Sequence, residues 1–139
     1  MKTDVQKLNK GALGKGIKLI VLFGSRAEKK VKSDSDYDVA VLMDEKNDIS
    51  DFKNYGATLF FLSEALGIPG EKIDLTRINE ANPLLQHEIF STGKLIFGDR
   101  ILFDEYRGAA FREYIDAKKL LETEYQMIKK RLYFLKQLA

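Results

Sequence analysis

Along this chain of 139 residues the apolar positions change period several times, and each change marks an element. The run "IKLIVLFG" from Ile17 is continuous, apolar and β-branched, so it predicts a buried strand; "DYDVAVLM", from Asp36 to Met43, predicts a second. Before them, "DVQKLNKGALGKG" predicts a short helix stopped by glycines. From Ser50 to Leu66 the period becomes helical: Phe52, Tyr55, Leu59, Leu62 and Leu66 recur at three- and four-residue steps, with Gly67 at the stop and Pro69 just beyond. "EKIDLTRI" predicts a short third strand, and "NPLLQHEIFSTG" a helix with Asn82 as cap, Pro83 at its first position and Gly93 at its end. "KLIFG" predicts an edge strand. Roughly from Asp104 to the C-terminus, Tyr114, Ala117, Leu121, Tyr125, Ile128, Leu132 and Leu135 form one apolar stripe on a long helix. The pattern implies a small mixed β-sheet flanked by helices, an α/β or α+β fold, with a long C-terminal helix. The stripe is expected to serve first as core. Because the helix outruns what so small a sheet can cover, its far end is expected to dock a partner.

Against this pattern, residues 21–44, "VLFGSRAEKKVKSDSDYDVAVLMD", stand out. One strand ends on Gly24-Ser25, and the next opens with two aspartates around a tyrosine. Side chains alternate along a strand, so Asp36 and Asp38 point to one side and Tyr37 and Val39 to the other. Two carboxylates in one small volume oppose each other unless a cation intervenes, and hard oxygen donors of this kind suit Mg²⁺, which shares itself with substrate phosphates. Gly24 lets a phosphate approach the backbone, and free N–H groups at the strand-to-helix turn, with the Ser25 hydroxyl, supply donors. Asp74 in "KIDLTRI" lies on the face opposite Ile73 and Leu75, and is the candidate third ligand of a two-metal site. An Asp-rich turn without metal is the plainer reading of Asp-X-Asp alone, but its conjunction with Gly-Ser and a later strand aspartate favours a metal–triphosphate site. His87, on a helix among Leu84, Leu85 and Ile89, reads as a packed or surface histidine, and Lys29, Lys30 and Lys32 as a solvated loop.

Composition narrows the chemistry. Zero cysteines exclude disulfides and thiolate metal sites, and a single histidine excludes a multi-histidine zinc site, so carboxylates must hold any metal. A net charge of +2 does not by itself point to nucleic acid. No stretch is long and apolar enough for a membrane span, and "MKTDVQKLNKGALGKG" lacks the apolar centre of a signal peptide, so a cytoplasmic protein is expected. The length suits one domain over 1–139, with a catalytic core at about 17–98 and a terminal helix at about 104–139.

Gly24-Ser25, ten intervening residues, Asp36-Tyr37-Asp38 and Asp74 on a later strand together resemble the minimal nucleotidyltransferases of the DNA polymerase β-like superfamily. The similarity runs from about Ile17 to Gly98 and includes "LLQHEIFSTGKLIFG". It extends to the MntA-type antitoxins that partner HEPN ribonuclease toxins. The resemblance implies a polymerase β-like core, with ATP and Mg²⁺, two ions, as cosubstrate and cofactor. It places Gly24, Ser25 and Arg26 on the nucleotide, and Asp36, Asp38 and Asp74 as catalytic metal ligands. For the antitoxin group it implies transfer of AMP to a tyrosine of a HEPN-type toxin. The turn departs from the pattern: many relatives carry Ser-Arg-Ala-Arg-Gly, whereas Glu28 and Lys29 take the last two places here. Little chain follows the core, so the acceptor is expected to arrive on another protein. Two alternatives stand beside this reading: a small-molecule or RNA acceptor with a helical partner subunit, and a non-catalytic steric antitoxin.

Overall fold

The computed structural model describes residues 1–24, 27, 36–44 and 52–138. Helix α1 (Val5–Gly14) is capped by Asp4, whose carboxylate accepts the Lys7 N–H at 3.1 Å, a local bond that satisfies one of the free donors of the first turn. Strands β1 (Ile17–Phe23) and β2 (Tyr37–Met43) follow, then α2 (Phe52–Leu66), which ends at Gly67 with φ 65°. Strand β3 (Ile73–Arg77) lies between single 3₁₀ turns at Gly70–Lys72 and Ile78–Glu80. Helix α3 (Pro83–Thr92) has Asn82 as its cap, the Asn82 side chain accepting the Leu85 N–H at 2.9 Å, and β4 (Lys94–Gly98) leads into α4 (Arg100–Gln137).

The sheet order is β3-β2-β1-β4. β1 pairs antiparallel with β2 and β4, and β2 pairs parallel with β3, so the sheet is mixed and β4 is an edge, as the sequence pattern implied. Helices cover both faces, which is why β1 and β2 are almost wholly apolar instead of alternating. Ile20, Leu22, Val39 and Val41 pack with Leu8 of α1 and Phe61, Leu62 and Leu66 of α2. Leu19, Val21, Phe23, Ala40 and Leu42 face the other way, onto Ile89 and Phe90 of α3 and Phe103 and Ala110 of α4. Each face loses its apolar side chains from water at roughly 25 cal/mol per Å², the main force holding the layers together.

Two expectations are corrected. Helix α4 begins at Arg100, not near Asp104, because Asp99 caps it by accepting the Ile101 N–H at 3.0 Å. The C-terminal stripe is not core: every described residue from 118 to 138 is exposed, and the buried part of α4 is Phe103 and Ala110. The sheet ends before the second half of the helix begins, so nothing among the described residues lies over it. No helix among the described residues is long and apolar enough to cross a membrane.

Candidate active site

Strand pairing brings the aspartates to one end of the sheet. In β1–β2, Phe23 pairs with Asp38; in β2–β3, Asp38 pairs with Asp74. Residues paired across neighbouring strands project to the same face, so Asp38 and Asp74 stand side by side, on the face that packs against α3. Their neighbours in sequence hold them there: Val39 and Leu75 are buried in the opposite layer, and a slip of one residue would exchange these apolar side chains for the carboxylates. Asp36, just ahead of β2, is exposed.

Next to this pair β1 ends on Gly24, with φ 73°, a conformation that a side chain opposes. A β-carbon built there falls well inside contact distance of the Asp38 Oδ2 atom, so only glycine lets the strand end and the carboxylate share this space. The Gly24 N–H donates to the Thr92 hydroxyl at 3.3 Å, and that hydroxyl donates to the Glu88 carbonyl at 2.8 Å, which ties the last turn of α3 to the end of β1. Ser25 and Arg26 lie outside the described residues, as do Glu28, Lys29, Lys30 and Lys32.

The electrostatics follow from the crowding. Burial, and after it the negative charges of Asp74, Glu88 and Asp36, hold the Asp38 carboxyl above the usual carboxylate range, and a hydrogen bond with Asp74 adds to the effect. Crowding of like charges is what a bound cation relieves, so the pair stands where one would be favoured. Among the described residues no three acidic or histidine side chains form a ready cation cage. Mg²⁺ does not need one: it usually takes one or two carboxylates and completes its shell with phosphate oxygens and water, so this all-oxygen donor set fits it.

Two neighbours were not anticipated from the sequence. Glu88 adds its charge to Asp38 from α3, and Thr92, one turn later, holds the end of β1. Their i, i+4 spacing puts them on one helix face, but only the packing of Ile89 and Phe90 onto the sheet turns that face toward the aspartates. His87 lies outside the cluster, stacked on Tyr114 with ring centroids 4.0 Å apart. A cleft of about 690 Å³ opens elsewhere, lined by Leu13, Ile17, Leu95 and Phe97 beside the β4 edge, and Asp36, Asp38 and Asp74 do not line it.

A mixed sheet with paired aspartates beside a glycine strand end is the frame of a nucleotidyl-transferring enzyme, and residues 6–102 match the polymerase beta nucleotidyltransferase family, to which the chain belongs. It is 31% identical over 119 residues to the protein adenylyltransferase MntA of Aphanizomenon flos-aquae (strain 2012/KM1/D3), a match covering 81% of this chain and 78% of that protein. Among solved structures it is similar to a chain of a toxin–antitoxin crystal structure with AMP-PNP, at 24% identity and a TM-score of 0.60, covering 92% of this chain and 97% of that one. It is also similar to a chain from the complex of a tri-AMPylated Shewanella oneidensis HEPN toxin with its MNT antitoxin, at 24% identity and a TM-score of 0.51, covering 92% and 98%. These structures share its fold.

Proposed function

We propose that this chain is a cytoplasmic, Mg²⁺-dependent protein adenylyltransferase that moves AMP from ATP to a tyrosine hydroxyl of a HEPN-type toxin and so acts as its antitoxin. The observation that carries the reading is the pairing of Asp38 with Asp74 beside the glycine end of β1. The MntA relative, named a protein adenylyltransferase, supports the choice of reaction, and the complexes described above support the choice of acceptor.

Asp36, Asp38 and Asp74 would hold the metal. When bound, Mg²⁺ supplies positive charge that offsets the charge of the triphosphate and of the departing pyrophosphate. The bare backbone at Gly24 leaves room for a phosphate oxygen, and the Ser25 hydroxyl and the Arg26 guanidinium are the donor groups assigned to the triphosphate. Asp74 accepts the proton of the acceptor hydroxyl. The hydroxyl oxygen then bonds to the α-phosphorus as the bond from that phosphorus to the bridging oxygen breaks, and pyrophosphate leaves. AMP on a tyrosine adds negative charge and bulk to the toxin, which opposes the approach of RNA phosphates.

The test is label transfer from ATP marked at the α-phosphate, with Mg²⁺, into a co-expressed HEPN partner. The wild type should label the partner, and the Asp36→Asn/Asp38→Asn variant should not. Label passing only to RNA or a small molecule would overturn the choice of acceptor. A variant that still labels the partner, or still protects cells from it, would overturn the proposed role of the aspartates.

A further inference from the structure

The second half of α4 carries apolar side chains with nothing among the described residues over them. Leu121, Tyr125, Ile128, Leu132 and Leu135 recur at steps of four, three, four and three residues, and each is between 52% and 58% exposed. Steps of this kind average 3.5 residues, the repeat of a seam that packs against another helix. Charged residues border the seam. Glu124 and Arg131 lie on one flank, and Glu122, Lys129 and Lys136 on the other, with Lys129 over the Tyr125 ring at 5.0 Å.

We propose that a second copy of this chain docks on this half of α4, the two helices running antiparallel about a two-fold axis between Gln126 and Met127. The flanking charges select both orientation and register. With Tyr125 facing Ile128 of the second copy and Leu121 facing its Leu132, Glu124 meets Arg131 of the second copy on one flank, and Glu122 meets its Lys129 on the other. The two-fold axis doubles each pair, so four opposite-charge contacts flank the seam. A parallel pair is poorer. It keeps Glu124 against Lys129 of the second copy but sets Arg131 against its Lys136 and faces Lys118 with Lys118 across the seam.

The length of the free helix fits the same arrangement. In this register Leu138 of the second copy reaches Ile115, next to Tyr114, where α4 meets α3 through the Tyr114–His87 stack. The two folded bodies then sit at opposite ends of the helix pair, clear of each other. A second apolar stripe, Leu120, Met127 and Phe134, stays on the outer flank of the pair.

Sedimentation of the full chain, purified without a partner, tests the proposal. A concentration-dependent dimer is expected. Exposed ion pairs contribute about 0.2–1 kcal/mol each, so reversing two of them by Glu124→Arg, or by Arg131→Glu, should raise the dissociation constant about ten-fold. Mixing the two variants, or combining both changes in one chain, should restore wild-type affinity, because each Arg again meets a Glu. Weakening without restoration would overturn the register, and a chain that stays monomeric at every concentration would overturn the pairing. The chain has no cysteine, so direction can be read separately. Under oxidation Tyr125→Cys mixed with Ile128→Cys should give a linked dimer and Ile128→Cys alone should not; efficient linkage of Ile128→Cys to itself would mean parallel helices and refute the proposal.

Discussion

Replacing Gly24 with alanine tests whether the end of β1 and the Asp38 carboxylate are built as one unit. Gly24 has φ 73°, in the left-handed region, where a residue with a β-carbon costs roughly 1–2 kcal/mol. The added methyl also meets the Asp38 Oδ2 atom, so the Asp38 side chain must turn away from its place beside the strand end. Forcing a side chain off its preferred rotamer costs about 0.5–1.5 kcal/mol. Together the two effects reach about 2–3 kcal/mol, which for a domain of this size lowers Tm by about 6–12 °C. Thermal unfolding followed by circular dichroism reads the loss directly. The same substitution in an Asp38→Ala background separates the causes: with no carboxylate to strike, only the backbone cost remains, so the penalty should fall by about 1 kcal/mol. A Gly24→Ala protein melting within a degree of wild type, or an equal penalty in both backgrounds, would refute the reasoning.

Burial and its acidic neighbours raise the Asp38 pKa, so the native state holds that proton more tightly than the unfolded chain does; this stabilisation is complete at low pH and is lost as pH rises through the folded value. Asp38→Asn, which stays neutral, should therefore melt above wild type at pH 7.5 in chelator, with the gap closing toward pH 4; a variant melting below wild type at pH 7.5 would contradict it. Phe103 is 2% exposed and packs on Phe90 with ring centroids 5.4 Å apart, so Phe103→Ala should cost about 3–5 kcal/mol in urea unfolding, and a loss under 1 kcal/mol would mean that α4 does not seal this side of the core.

Much of the architecture is legible in single residues. Continuous apolar runs at 17–23 and 39–43 announce strands covered on both faces, and Asn82-Pro83 announces the start of α3. Asp99 was the less obvious signal: read as the cap it is, it would have placed the start of α4 at Arg100. For the candidate site, Gly24 at the end of β1 and the face of Asp38 in β2 were legible because strand ends and strand alternation are local in sequence.

What lay beyond the sequence depends on which strands pair, and in which register. Asp38 stands opposite Asp74 because β2 and β3 run parallel with Val39 beside Leu75; period alone assigns each aspartate a face but not its neighbour. Glu88 joins them because Ile89 and Phe90 anchor α3 on the same face, a contact between distant segments. The same limit explains the C-terminal stripe. Period 3.5 shows that a helix has an apolar side, but only the extent of the sheet shows where that side stops being covered. Local propensity and periodicity thus determined the elements and the candidate chemistry, while long-range packing decided which charges share a volume and which apolar face was left uncovered.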